Sequence, residues 1–166
     1  MNNRTYYAPL LALSLIVLVL DRVSKLWIER HIPLGGGITV IPRVFRISHV
    51  LNFGAAFSLF EDSASPQRVR FFLTIFSVLA ILVVLFFFLR MARQLTLSSI
   101  ALSLILAGAI GNLYDRARYG YVVDFLEVHI VRYHWPDFNI ADSAIVIGAC
   151  LMFLELFRQS GETTRE

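Results

Sequence analysis

The chain has 166 residues, of which 57% are hydrophobic and 16% charged, and its mean hydropathy is +0.68. Soluble domains carry roughly 25% charged and 45–50% apolar residues, so this composition excludes an ordinary soluble fold and points to a one-domain bilayer protein, residues 1–166. A net charge of +3 is too small and scattered to mark a nucleic-acid partner, and basic residues flanking membrane spans account for it.

Arg4 precedes an apolar run from Ala8 to Leu20 that has the outline of a secretory signal peptide. No small-residue cleavage site follows; Asp21-Arg22-Val23-Ser24-Lys25 does, which predicts a retained membrane helix over about 9–28. Asp21 and Lys25 stand four apart with the acid first, the favourable order for a helical ion pair. The pair is open to two readings, self-neutralisation at a helix end or support of a site.

Residues 31–68 change character. Gly35-Gly36-Gly37 and Pro42 exclude a continuous helix. From Arg43 to Asn52 apolar and polar residues partly alternate, which predicts short strands with one apolar face. A small β-rich platform on the membrane surface is expected there, with Gly35–Gly37 and the Glu61–Pro66 loop as mobile points. Three further spans follow, at 71–89, 95–113 and 140–157. Ser98, Ser99, Ser103, Gly108 and Gly111 give the third span a small-residue surface suited to close packing. Cys150, the only cysteine, reads as a buried packing residue. The expected fold class is therefore all-α integral membrane: four transmembrane helices with the β-rich platform on the periplasmic side, between helices 1 and 2.

Four spans put both termini on one side. The basic short segments around Arg4, Arg90–Arg93 and Arg158 assign that side to the cytoplasm. In an antiparallel bundle the end of helix 1, the end of helix 3 and the start of helix 4 share one face. Asp21, Lys25, Asn112, Asp115, Arg116, Asp124 and Asp142 are thus expected to converge. An ionisable group at membrane depth is costly, so such a cluster is a functional-site hypothesis.

Two carboxylates held close together cannot both ionise easily and share a proton; one then serves as base on a water while the other acts as acid on a carbonyl. Asp142 opens helix 4, where the helix dipole favours the anion, whereas Asp124 lies among Val122, Val123, Phe125 and Leu126. Asp142 is accordingly expected to be the more anionic member and Asp124 the more readily protonated one. Asn139 is placed to cap helix 4, and Asn112 to end helix 3. His129 and His134 are five apart and share no helical face, and no cysteine or acid lies at zinc-ligand spacing, so no metal is expected. Neither Ser24 nor Ser143 has a clearly placed base that would make it a nucleophile. A small proton-coupled transporter is the rival reading, because intramembrane acids also serve as proton relays. Such transporters show internal repeats, which the two halves of this chain lack.

Five segments together carry a more specific signal: Asp21-Arg22-Val23-Ser24-Lys25, Asn52-Phe53-Gly54-Ala55-Ala56-Phe57, Gly108-Ala109-Ile110-Gly111-Asn112-Leu113-Tyr114-Asp115-Arg116, Val122-Val123-Asp124-Phe125 and Phe138-Asn139-Ile140-Ala141-Asp142. In order and across nearly the whole chain, they resemble the motif series of lipoprotein signal peptidase (signal peptidase II). The resemblance implies a four-helix aspartyl endopeptidase of the bacterial inner membrane. It would remove the signal peptide of diacylglyceryl-modified prolipoproteins, cutting before the lipidated cysteine, and would need no cofactor. Asp124 and Asp142 would be the catalytic dyad, with Asn52, Gly54, Asn112, Arg116 and Asn139 supporting substrate and dyad. Asp21 and Lys25 match the first motif, in a structural or a catalytic role. Ala107 departs from the pattern, standing where the third motif commonly has its first glycine. Partners beyond the prolipoprotein and membrane lipid are not indicated, and the oligomeric state is left open.

Overall fold

The computed structural model describes residues 6–54, 66–131 and 133–163. Its elements in chain order are α1 (Tyr7–His31), β1 (Gly37–Ile41), β2 (Phe45–Asn52), α2 (Pro66–Met91), α3 (Leu97–Arg118), β3 (Val122–Ile130), β4 (Tyr133–Phe138) and α4 (Ile140–Thr163). Three helical stretches are long and apolar enough to cross a membrane: 68–91, Leu97–Arg118 and Ile140–Arg158. Helix α1 has 25 residues and exposes Leu11, Leu15, Ile16, Val19, Leu20 and Val23.

Helix α3 is the centre of the bundle and packs against α1, α2 and α4. Its membrane-length stretch is 56% buried, against 6% for α2, so α2 presents nearly all of its phenylalanine-rich surface outward. The sequence of α3 explains its position. Thr96 accepts from the Ser99 backbone N–H (3.1 Å) and Ser99 Oγ accepts from the Thr96 N–H (2.9 Å), a reciprocal cap that starts the helix. Small residues then let neighbours approach. A Cβ on Gly108 would collide with the Ala141 carbonyl oxygen of α4, and one on Gly148 would stand 2.7 Å from the Ala101 carbonyl oxygen. Ala107 is 1% exposed and packs with Val17 and Ala144, in a close three-helix contact that leaves little room at this position.

The buried face of α1 is a single stripe: Leu10, Ser14, Val17, Asp21, Lys25 and Ile28, at steps of three and four. Its apolar end joins Phe88, Ala92, Leu102 and Leu106. Midway, Ser14 Oγ and Ser103 Oγ lie 2.8 Å apart, and each hydroxyl reaches a backbone carbonyl of the pair of helices. The polar end of the stripe points at the sheet.

That sheet is antiparallel throughout, in the order β1-β2-β3-β4. Its composition corrects the expected platform: only β1 and β2 lie within residues 31–68, and the other half comes from the segment between α3 and α4. Strand β3 escaped notice because Val122-Val123-Asp124-Phe125 is buried on both sides and does not alternate. The fold is thus mostly helical with a composite sheet rather than all-α. The helices also outrun their apolar stretches; α3 continues five residues past Leu113 and does not end at Asn112. Ile28 of α1 and Ile32, which follows its last residue, pack on Val123 and Phe125, and buried His49 hydrogen-bonds the Ile32 carbonyl (2.7 Å), which fastens the sheet to the bundle. Gly35 and Gly36 exchange backbone hydrogen bonds with His49, so this segment is tied to β2; residues 61–65 of the second expected mobile point lie outside the described residues. Cys150 is exposed on α4 rather than buried.

The α3–α4 contact predicts that Gly108→Val lowers the thermal midpoint in detergent by roughly 5–10 °C, since overpacking costs about 1–3 kcal/mol. Cys150→Ala, on the exposed surface, serves as the control and should stay within about 0.5 kcal/mol of wild type.

Candidate active site

The polar residues expected to converge do so, in two linked groups. The first is an ion cluster around Lys25, whose side chain is fully buried. Its Nζ donates to Asp21 Oδ2 (2.8 Å), Asp115 Oδ2 (2.6 Å) and Asn112 Oδ1 (3.2 Å). Three donors meet three acceptors, so the ammonium is fully used. The i, i+4 pair read from sequence is present, but the shortest contact of Lys25 is with Asp115, 90 residues away. Asp115 Oδ1 also accepts from Arg22 Nη1 (3.3 Å), whose Nη2 donates to the Tyr119 hydroxyl (2.7 Å). Asp21 Oδ1 accepts from the Ala141 backbone N–H (3.0 Å), one of the free donors at the start of α4. Gly111 makes room for this, because a Cβ there would stand 3.0 Å from Asp21 Oδ2.

The second group holds Asp124 and Asp142. Asn139 caps α4 as expected: its Oδ1 accepts from the Asp142 N–H (2.9 Å), while its own N–H donates to Asp142 Oδ2 (3.2 Å). The same residue reaches across to the sheet, where Nδ2 donates to Asp124 Oδ1 (2.7 Å). Asp124 Oδ2 accepts from Asn52 Nδ2 (2.9 Å), and Asp142 Oδ1 accepts from Asn112 Nδ2 (2.7 Å). Each carboxylate therefore holds one donor on each oxygen. Asn112 joins the two groups, since its Oδ1 faces Lys25 and Asn139 while its amide faces Asp142. Burial first, and the Asp142 charge second, push the Asp124 carboxyl up to about 7; hydrogen bonds from Asn52 and Asn139 oppose them.

Arg116 completes the group from the end of α3. Its Nη2 donates to the Gly54 carbonyl (3.3 Å), and the Gly54 N–H donates to Asn52 Oδ1 (2.9 Å). Arg116 Nε is buried and has no hydrogen-bond partner among the described residues. Asp21, Lys25, Asn52, Gly54, Asn112, Arg116, Asp124, Asn139 and Asp142 thus belong to one connected network. Sequence reasoning did not assign Asp115 its place as second counter-ion of Lys25, nor Arg22 its place as second cation of the cluster. Both lie inside the quoted motifs, but their pairing depends on helices far apart in sequence. The histidines differ more sharply from expectation. His129 and His134 are directly paired across β3 and β4, and they meet Glu127 there. Helical spacing is the wrong test for residues on a hairpin.

Membrane-length helices that close a buried carboxylate–amide network beneath a sheet are the build of an integral membrane enzyme. Two solved bacterial membrane enzymes, determined by the in meso method, share the fold of this chain. One superposes with a TM-score of 0.85 at 30% identity, covering 98% of this chain and 95% of that one. The other gives 0.80 at 32% identity, with 94% and 97% covered. The family model for signal peptidase (SPase) II matches residues 13–158. The lipoprotein signal peptidase of Pseudomonas fluorescens strain Pf0-1 is 44% identical over 157 residues, covering 93% of this chain and 91% of its own length. That of Alteromonas mediterranea is 39% identical over 154 residues, with 93% and 83% covered. The chain belongs to the signal peptidase II family and is a membrane peptidase.

The ion cluster predicts a specific stability pattern. Lys25→Met leaves Asp21 and Asp115 buried without their shared cation and should cost about 3–5 kcal/mol, read as a loss of folded protein in detergent. Adding Asp21→Asn and Asp115→Asn to that variant should recover part of the loss, because the uncompensated charges are then gone.

Proposed function

We propose that this chain is an aspartyl endopeptidase that removes the signal peptide from diacylglyceryl-modified prolipoproteins, cutting before the lipidated cysteine, with Asp124 and Asp142 as its dyad. The observation that carries this reading is the joint grip of Asn139 on both carboxylates, one from the sheet and one from the first turn of α4. Two acids of different surroundings thereby share one residue.

In this mechanism Asp142 takes a proton from a water whose oxygen attacks the scissile carbonyl carbon. Protonated Asp124 gives its proton to the carbonyl oxygen. The tetrahedral intermediate collapses as its carbon–nitrogen bond breaks, the amine leaving with the proton held by Asp142 and the carbonyl re-forming as its hydroxyl returns a proton to Asp124. Arg116 Nε offers an unused donor beside the dyad, suited to a backbone carbonyl of the substrate. Asn52, Asn112 and Asn139 hold the carboxylates in position, while Lys25 neutralises Asp21 and Asp115 and orients Asn112. This chemistry uses no metal or cofactor.

The setting we infer is the bacterial inner membrane, with α1 as a fourth span beside the three membrane-length helices. Basic segments at Arg90–Arg93 and Arg158 assign the termini to the cytoplasm, which sets the dyad and the sheet near the periplasmic face. Exposed phenylalanines along α2 offer an apolar surface for acyl chains.

Purified protein should cleave a diacylglyceryl-modified prolipoprotein in the presence of a chelator. Asp124→Asn and Asp142→Asn should each reduce turnover by at least about 1,000-fold, with folding intact by circular dichroism. Retained turnover in either variant removes that residue from the dyad; a transporter would keep its transport with altered coupling.

The pH profile follows from Asp124. A carboxyl raised to about 7 is protonated, and able to act as acid, below that pH. Activity should therefore fall about tenfold per unit as pH rises above 7, in kcat/KM measured with substrate well below saturation. The folded state binds this proton more tightly than the unfolded chain does. Its contribution to stability is thus full below about pH 4, declines up to about 7 and is flat beyond.

A further inference from the structure

One cluster on the sheet takes no part in the network around Asp124 and Asp142. Glu127 and His129 stand two apart on β3 and therefore share a side of its pleat, opposite to Asp124. His134 on β4 is the direct cross-strand partner of His129, and the two rings lie 4.8 Å apart. His129 Nε2 is 2.8 Å and His134 Nε2 3.6 Å from the same oxygen, Glu127 Oε1. One ligand atom from each of the three residues falls within 4.8 Å of the others.

We propose that Glu127, His129 and His134 form a binding site for a borderline divalent transition-metal cation, best matched by zinc, that clips the β3–β4 hairpin. Tetrahedral ligands about 2.1 Å from zinc stand about 3.4 Å from one another, and the two contacts to Glu127 Oε1 bracket that distance. Two imidazoles and one carboxylate suit zinc or its neighbours and disfavour magnesium and calcium, which take oxygen sets. Access is open, since the side chains of His129 and His134 are 37% and 50% exposed. That exposure also leaves a fourth position for water.

The surroundings fit a cation site. Arg46 Nη1 holds Glu127 Oε2 (3.0 Å), which fixes the carboxylate and turns Oε1 toward both histidines. The positive charge of Arg46 is offset locally, because Asp137 lies within electrostatic reach of both Glu127 and His134. Asp137 is itself positioned by Ser48 Oγ (3.2 Å). The hairpin has reason to be clipped. Its tip carries Val131 at φ 60°, a left-handed backbone that a β-branched residue rarely adopts. A metal joining His129 to His134 would hold the two strands together just below that tip.

The test is zinc binding to the full-length protein in detergent, freed of any purification tag and stripped of metal, followed by calorimetry. One zinc per chain is expected, with micromolar or tighter affinity and a raised thermal midpoint. Cobalt in its place should give the visible absorption bands of a tetrahedral nitrogen–oxygen site. His134→Ala should weaken binding at least about tenfold, and His129→Ala with His134→Ala should abolish it. Glu127→Gln, which keeps the shape of the side chain, should weaken it while leaving the circular dichroism unchanged. Saturable binding that survives the double histidine variant would overturn the proposal. So would affinity no tighter than about 1 mM in wild type, which would leave the three residues a hydrogen-bonded cluster only. Neither readout depends on peptidase activity, so the outcome is independent of the dyad.

Discussion

The site depends first on the burial of one ammonium. Lys25 lies fully inside the bundle with its three donors on Asp21, Asp115 and Asn112. Removing a charge from water costs several kcal/mol, and the cost is met only when partners are close and every donor is satisfied. Lys25 fulfils both conditions, and it does so by drawing on α1 and α3 together. Each acid it neutralises also holds a second partner, Asp115 anchoring Arg22 and Asp21 receiving the first-turn N–H of α4. A single buried cation thereby sets the relation of three helices at the level of the site.

From that anchor the network runs through amides rather than charges. Asn112 turns its oxygen to Lys25 and its nitrogen to Asp142; Asn139 turns its oxygen to the α4 N-terminus and its nitrogen to Asp124. An amide can serve a cation and an anion at once, which neither a carboxylate nor an ammonium can do. Replacement of either asparagine by an aspartate would put a third negative charge beside two carboxylates already in competition. The choice of asparagine is therefore electrostatic as well as geometric.

Much of this is legible in the sequence because membrane burial makes polar residues conspicuous. In a chain that is 57% hydrophobic, Asp21, Lys25, Asn112, Asp124, Asn139 and Asp142 stand out, and an antiparallel order of helices brings the ends that carry them to one face. The helix cap at Asn139 is also readable, since it rests on local spacing. Strand β3 is not, because burial on both faces erases the alternation that marks a strand. The composite nature of the sheet follows the same blind spot. Pairings that join distant elements, Lys25 with Asp115 or Arg22 with Tyr119, leave no periodic trace. Nor does a hairpin register, so helical spacing misjudges His129 and His134, which face one another across two strands.

The composite sheet explains how two carboxylates on different elements can be held in unlike surroundings. Asp142 sits at the opening of α4, where the backbone N–H of Asn139, three residues away, donates to it whatever the rest of the chain does. Asp124 receives no backbone N–H of that kind among the described residues. Its two hydrogen bonds come from side-chain amides, one on β2 and one at the α4 cap, so its position depends on β2 pairing correctly with β3. That pairing contains a bulge between Ile47 and Val50, just before Asn52, with Ser48 and His49 both buried in it. The extra residue resets the register so that Asn52 lies opposite Val122, diagonal to Asp124 and on the same side of the pleat. Without it, every β2 side chain beyond the bulge would turn to the other face, and Asn52 would leave Asp124 with one donor fewer. The irregularity in the sheet is thus what brings its carboxylate into the network that the helices have built.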